Sequence, residues 1–204
     1  MRNRRPSSID LKIVVLGSHN VGKTSLIHRY CEGSFVKDTL PTLGAGFFTH
    51  SLVVDDIEVT AMLWDTAGDE RFHSVAPSLL RGTQGLILVF DLSDPQTFLD
   101  IEIYFNMFLD TCQVDMARSL PVLLLGNKND LEQHSVGLDV IDSWMKKNHV
   151  SHYFDVSAKT AENVNEAIET LIKDLVSPLE YQTSQNSLSL PLSESAEAQQ
   201  SSCC

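Results

Sequence analysis

Gly17-Ser18-His19-Asn20-Val21-Gly22-Lys23-Thr24 follows an apolar run at residues 11–16 and opens an amphipathic stretch at 22–31. A glycine-rich loop between a buried strand and a helix start gathers backbone N–H groups around an anion, because the first turn of a helix leaves its donors unpaired. Gly17 and Gly22 let the chain wrap tightly, and the successive N–H groups of Asn20, Val21, Gly22, Lys23, Thr24 and Ser25 are expected to face phosphates. Lys23 is placed to reach the outer phosphates, and Thr24 to bind Mg2+. The octapeptide therefore predicts a phosphate-binding loop at the end of the first strand of an α/β domain.

Outward from that loop, residues 11 to 176 alternate short aliphatic or β-branched runs with longer amphipathic stretches. This rhythm argues for βα units on a mostly parallel sheet. Strands are expected at 11–16, 47–54, 58–64, 85–91, 122–126 and 152–156, and helices at 22–31, 70–81, 96–111, 137–148 and 164–176. Leu86-Ile87-Leu88-Val89-Phe90 has no polar alternation, so both of its faces are expected to be buried. Val53-Val54-Asp55-Asp56-Ile57 marks a hairpin between the second and third strands. The predicted fold class is α/β in three layers, a six-stranded mostly parallel sheet flanked by helices on both faces. A flexible arm at 1–9 and a disordered tail at 178–204 are expected on either side of a domain at 10–177. From Tyr181 onward the chain holds no Lys or Arg and is rich in Ser and Gln, too polar to bury a core.

With 204 residues, 43% of them hydrophobic, the chain can build one sizeable core. Its 15 basic and 27 acidic side chains leave a formal net charge of -12. Binding to a phosphate backbone scales with Lys and Arg contacts, so broad DNA or RNA binding is excluded as a function class. No run approaches the roughly 20 apolar residues of a spanning helix, and Met1-Arg2-Asn3-Arg4-Arg5-Pro6 has no apolar stretch behind its charges. The protein is expected to be kept inside the cell. Cys31, Cys112, Cys203 and Cys204 match neither a disulfide framework nor a zinc pattern. Cys31 and Cys112 read as small, partly buried side chains.

Three further motifs carry chemistry. Trp64-Asp65-Thr66-Ala67-Gly68 ends an apolar strand, where the Asp65 carboxylate can reach Mg2+ held by Thr24, commonly through water. Gly68 offers a backbone N–H that approaches a terminal phosphate with no side chain in the way. Asn127-Lys128-Asn129-Asp130 follows another buried strand, and Asp130 can accept two hydrogen bonds from the N1–H and exocyclic amine of guanine. Adenine presents no such donor pair on that edge. The Lys128 stem can lie along the base, and Asn127 can tie this loop to the phosphate loop. In Ser157-Ala158-Lys159, after the last strand, the Ala158 N–H can meet the guanine carbonyl.

These motifs, in this order and with Thr42 nineteen residues after Lys23, resemble the small GTPases over residues 11–176. Within that superfamily the chain is similar to the Rabs. Leu40-Pro41-Thr42-Leu43-Gly44-Ala45-Gly46-Phe47 is close to their first-switch segment, and the chain ends in Cys203-Cys204. The resemblance implies a P-loop NTPase domain of small-GTPase type that binds GTP and GDP with Mg2+. On that analogy Thr42 coordinates Mg2+ and senses the third phosphate, Phe35 stacks near the guanine, and residues 34–46 and 68–78 are the mobile switches. The implied partners are effector proteins in vesicle traffic, an exchange factor, an activating protein and the chaperone of prenylated GTPases. Geranylgeranyl chains on Cys203 and Cys204 would give stable binding where one chain is marginal, at the cytoplasmic face of an intracellular membrane with a cytosolic pool.

Two positions depart from the family pattern. After Gly68 the family places Gln, whose amide orients the attacking water, whereas this chain has Asp69. Asp is one methylene shorter, cannot donate when ionised, and sets a negative charge beside an anionic phosphate. Of the catalytic set Lys23, Thr42 and Asp69, the last is therefore expected to make intrinsic GTP hydrolysis slow. At His19, where related proteins often have a small residue, the ring would obstruct an arginine supplied by an activating protein. These departures favour an alternative, a largely GTP-bound, non-hydrolysing, membrane-anchored interaction module. A P-loop kinase or ATPase would leave Asn127 to Asp130 unexplained.

Overall fold

The computed structural model describes residues 8–37, 42, 44–67, 77–112 and 120–186. In chain order the elements are β1 (Ser8–Leu16), α1 (Lys23–Glu32), β2 (Ala45–Val54), β3 (Ile57–Thr66), α2 (Pro77–Leu80), β4 (Gly85–Asp91), α3 (Pro95–Cys112), β5 (Val122–Asn127), α4 (Leu138–Asn148), β6 (His152–Asp155) and α5 (Val164–Asn186). The strands form one six-stranded sheet in the order β2-β3-β1-β4-β5-β6. All neighbours run parallel except β2 against β3, which form an antiparallel hairpin. At its turn Asp55 and Asp56 both take positive φ, 47° and 64°. Two successive left-handed residues match the right-handed twist of the flanking strands.

The period-two geometry of a strand divides the sheet's side chains between two cores. Leu11, Ile13 and Val15 of β1, Ile87 and Val89 of β4, and Leu123 and Leu125 of β5 join a cluster with Leu26 and Ile27 of α1 and Ile168 and Leu171 of α5. The alternate residues Val14, Leu16, Leu86, Leu88, Phe90 and Leu124 join a second cluster with Phe98, Ile101 and Phe105 of α3 and Ile141 of α4. Helices thus cover both faces, and the central strands need no polar face. The three layers and mostly parallel sheet expected from the sequence are present.

Differences are confined to boundaries. β1 starts three residues earlier than expected, because Ser8, Ile9 and Asp10 pair with Glu58, Val59 and Thr60 at the edge of the parallel ladder. α5 continues to Asn186, so residues 178–186, placed in the tail by sequence, are helical. A proline removes one hydrogen bond and crowds the preceding turn, yet the helix continues through Pro178. Of the helix expected at 70–81 the described part is Pro77–Leu80; residues 68–76 lie outside the described residues, as do 1–7 and 187–204. Cys31 and Cys112 are free and half-buried. Burial pushes the Cys31 thiol up to about 11, with Glu32 adding to it, and burial raises Cys112 as well, which disfavours the thiolate at both. Among the described residues no helix is long and apolar enough to cross a membrane.

Candidate functional site

β1 lies between β3 and β4, and the connections leaving its C-terminal end open a crevice there, the place where parallel α/β sheets accept ligands. A cleft of about 660 Å3 occupies it, lined from the ends of β1, β3 and β5 and from the β6–α5 loop. Asn20, Gly22, Lys23, Thr24, Ser25, Phe35, Thr42, Asn127, Lys128, Asp130, Ala158 and Lys159 all line this one cleft. Val21 and Ser157 are fully buried behind it.

The loop after β1 can be this tight only because of its glycines. A Cβ on Gly17 would meet the Val89 carbonyl oxygen at 2.1 Å, and one on Gly22 would meet Asn127 Nδ2 at 2.3 Å. Gly22 also takes φ 95°, a conformation L side chains resist, and forms the N-cap of α1. Lys23 folds back over the loop, its ammonium donating to the carbonyl oxygens of Gly17 at 2.8 Å and Ser18 at 2.9 Å. It is 6% exposed, and burial pushes its pKa down to about 8, with Asp65 pulling it part of the way back. A buried ammonium held only by neutral carbonyls is poorly compensated, and an arriving anion would repay its desolvation.

Thr24, Thr42 and Asp65 come together from α1, the segment before β2, and β3. Asp65 Oδ2 accepts from Thr24 Oγ1 at 2.6 Å and from Thr42 Oγ1 at 3.1 Å, and the two hydroxyls lie 3.0 Å apart. Asp65 is 1% exposed, and its Oδ1 is buried with no hydrogen-bond partner among the described residues. Two hydroxyls and a carboxylate with an unpaired buried oxygen fit a hard cation such as Mg2+, which binds few protein ligands and completes its shell with water and substrate phosphates. The described residues contain no cluster of three or more His, Cys, Asp or Glu, so they hold no all-protein chelate of those side chains.

On the opposite side Asn127 acts as a strut. Its Nδ2 donates to the Val21 carbonyl at 2.7 Å, and its Oδ1 accepts from the Ala158 N–H at 3.2 Å. The tie to the phosphate loop expected from sequence is present, and it extends to the β6–α5 loop. The Ala158 N–H expected to face a guanine carbonyl is directed at Asn127 instead. Asp130 is held by Ser157 Oγ at 2.7 Å on Oδ1 and by Lys159 Nζ at 2.8 Å on Oδ2. Lys159, outweighing burial, and Ser157 hold its carboxyl below the usual range. An ionised carboxylate offers about four lone-pair directions, so these contacts leave room for further donors.

Lys128 takes φ 68° and sends its ammonium to Asp91 Oδ2 at 2.6 Å. Asp91 closes β4 and also accepts from the Ser93 N–H and Oγ. Burial alone would raise the Asp91 carboxyl, but Lys128 and Ser93 together hold it low. Sequence reasoning missed Asp91; an acid ending the wholly apolar run 85–90 was the available signal. It also missed Ser18, whose buried hydroxyl donates to Asp100 Oδ2 of α3 at 2.7 Å, and Thr66, whose hydroxyl donates to the Val15 carbonyl at 2.7 Å. His19 is exposed at the rim of the cleft. Gly68, Asp69, Cys203 and Cys204 lie outside the described residues.

Comparison with known proteins gives a consistent result. Residues 12–177 match the sequence profile of the Ras family. The chain is 37% identical over 197 residues to Ras-related protein Rab-7b of Mus musculus, covering 96% of this chain and 97% of the relative. It is 35% identical over 195 residues to the Ypt/Rab-type GTPase ypt7 of Schizosaccharomyces pombe, covering 95% of each. Identity to Ras-related protein Rab-9A of Rattus norvegicus is 35% over 165 residues, covering 81% of this chain and 82% of the relative.

Proposed function

The chain belongs to the Ras family as a Rab-type small GTPase, and from that premise we propose how it works as a guanine-nucleotide switch in membrane traffic. Membership carries GTP and GDP binding with Mg2+, GTPase activity in general and association with intracellular membranes.

One relationship supports the assignment of the base site: the Asn127 carboxamide joins the Val21 carbonyl of the phosphate loop to the Ala158 N–H. A ligand that fills both ends of the cleft must have an anionic group and a hydrogen-bonding base at a fixed separation, as a nucleoside polyphosphate does. Asn20, Val21, Gly22, Thr24 and Ser25 offer backbone N–H groups to the phosphates, and Lys23 gives the buried positive charge. Asp130, kept ionised, accepts from the guanine N1–H and amine, while Ser157 and Lys159 hold it in place and Lys128 and Phe35 flank the base. Thr24, Thr42 and Asp65 hold Mg2+, which offsets phosphate charge when bound. Gly68 meets the third phosphate, and its loss releases the segments around Thr42 and after Gly68.

Hydrolysis is slow, because Asp69 cannot donate to the attacking water and repels the phosphate. Effectors bind the GTP form. An exchange factor, an activating protein that brings its own glutamine and a chaperone for the lipidated form complete the cycle. Cys203 and Cys204 carry the lipids, so the protein divides between an intracellular membrane and the cytosol. A second reading, a GTP-loaded module that does not cycle, is favoured by His19 at the cleft rim and by Asp69 in the sequence. Single-turnover phosphate release from GTP with Mg2+ separates the two. The switch predicts slow but measurable release, accelerated by Asp69→Gln; no release from either protein supports the second reading.

A further inference from the structure

Arg29 sits in the last turn of α1 and reaches across the domain rather than into solvent. Its Nε donates to the Ala158 carbonyl at 2.8 Å and its Nη2 to the Lys159 carbonyl at 3.0 Å. Its Nη1 donates to the Gly33 carbonyl at 2.6 Å. The Arg29 backbone carbonyl also accepts from the Gly33 N–H at 3.1 Å, where Gly33 closes the helix at φ 66°. Among the described residues all three side-chain contacts are to neutral main-chain oxygens, and none involves a carboxylate. A cation near a helix C-terminus commonly does no more than favour the dipole. Arg29 instead spends a planar fork on three carbonyls from two segments, a pattern that serves geometry.

Both segments belong to the base end of the cleft. Gly33 leads to Phe35, which lines the cleft and packs against the core. Ala158 and Lys159 form the turn whose N–H meets Asn127 and whose side-chain ammonium meets Asp130. We propose that Arg29 is a positioning residue for base recognition, which fixes the Ala158–Lys159 turn relative to Phe35 so that the Asp130 carboxylate, held by Lys159 of that turn, stays aligned with a guanine edge. The inference rests on the base site proposed above. Arg29 touches no nucleotide; it acts through the turn.

The test compares dissociation of GDP and of purine riboside 5′-diphosphate, which lacks the N1–H, the exocyclic amine and the 6-oxygen, from the wild-type protein and from Arg29→Lys and Arg29→Ala. Lysine keeps the charge but cannot fork to three acceptors, and it guards against a fold lost with alanine. Both variants should release GDP about tenfold faster, the effect of one charge-assisted hydrogen bond. Release of the purine nucleotide should change by less than about twofold, because both donors that Asp130 accepts from are missing. Equal acceleration for both nucleotides would make Arg29 a support of the fold alone and overturn the inference, as would no acceleration of GDP. Failure of the underlying base site shows separately: the wild-type protein would then release the two nucleotides at the same rate.

Discussion

Thr24 Oγ1 lies 2.6 Å from Asp65 Oδ2, joining the first turn of α1 to the end of β3 through a partly buried hydrogen bond. The strands determine this proximity: Val15 is in register with Asp65 in the parallel ladder, so the residues that follow β1 and those that end β3 emerge side by side. The other Asp65 oxygen stays buried, with no hydrogen-bond partner among the described residues. Asp65→Asn removes the charge while keeping the shape. GDP affinity of the variant, measured by fluorescent-nucleotide titration, should fall by more than about tenfold with Mg2+ present. In EDTA the two proteins should differ little. Equal losses in both conditions would place Asp65 outside the metal site.

Gly22→Ala tests the tightness of the phosphate loop. The added methyl would stand 2.3 Å from Asn127 Nδ2 and adopt φ 95°, so either the strut or the loop must move. The strain is on the order of 1–3 kcal/mol. Calorimetric titration should find GDP affinity reduced at least about tenfold, because the loop and the strut serve the same ligand.

Asp130→Asn exchanges a double acceptor for a group that can also donate. Affinity for GDP should drop by about 1.5–3 kcal/mol, the value of a hydrogen bond to a charged group. Xanthosine diphosphate, whose extra carbonyl suits an amide donor, should gain. Competition binding with the two nucleotides reads both changes, and unchanged GDP affinity would contradict the placement of the base.

The Lys128–Asp91 pair gives a pH-dependent signature. Its contribution to stability is fully present above the ordinary carboxylate pKa of about 3.9 and fades as pH falls through the lower folded value, because the unfolded chain takes up the proton first. Lys128→Met should therefore destabilise the protein by about 1–3 kcal/mol at pH 7. The gap should narrow as the solution is acidified below about pH 3.9. Guanidinium unfolding in EDTA at several pH values measures it free of nucleotide effects.

Much of this arrangement is legible in the sequence, and the reasons are local. Gly17, Gly22, Lys23 and Thr24 announce their conformation because a loop that tight tolerates few other residues, and the apolar runs of β4 and β5 declare burial on both faces. Asp65, Asn127 and Asp130 each follow such a run, which places them at the same end of the sheet. What the sequence does not reveal is action across the fold. Arg29 meets carbonyls about 130 positions away, Ser18 meets Asp100, and Lys128 turns to Asp91, contacts that depend on helix packing or strand register rather than on spacing along the chain. The polar, Ser- and Gln-rich composition beyond residue 178 likewise gives no sign of the helical extension to Asn186.

The most direct test of the guanine-nucleotide switch is to purify the protein, release whatever it has retained and identify it by chromatography. Recovery of GDP or GTP, near one per chain, is the predicted result. Recovery of an adenine nucleotide, or displacement of bound GDP by excess ATP, would contradict the account at Asp130 and reopen the reading as an ATPase or kinase.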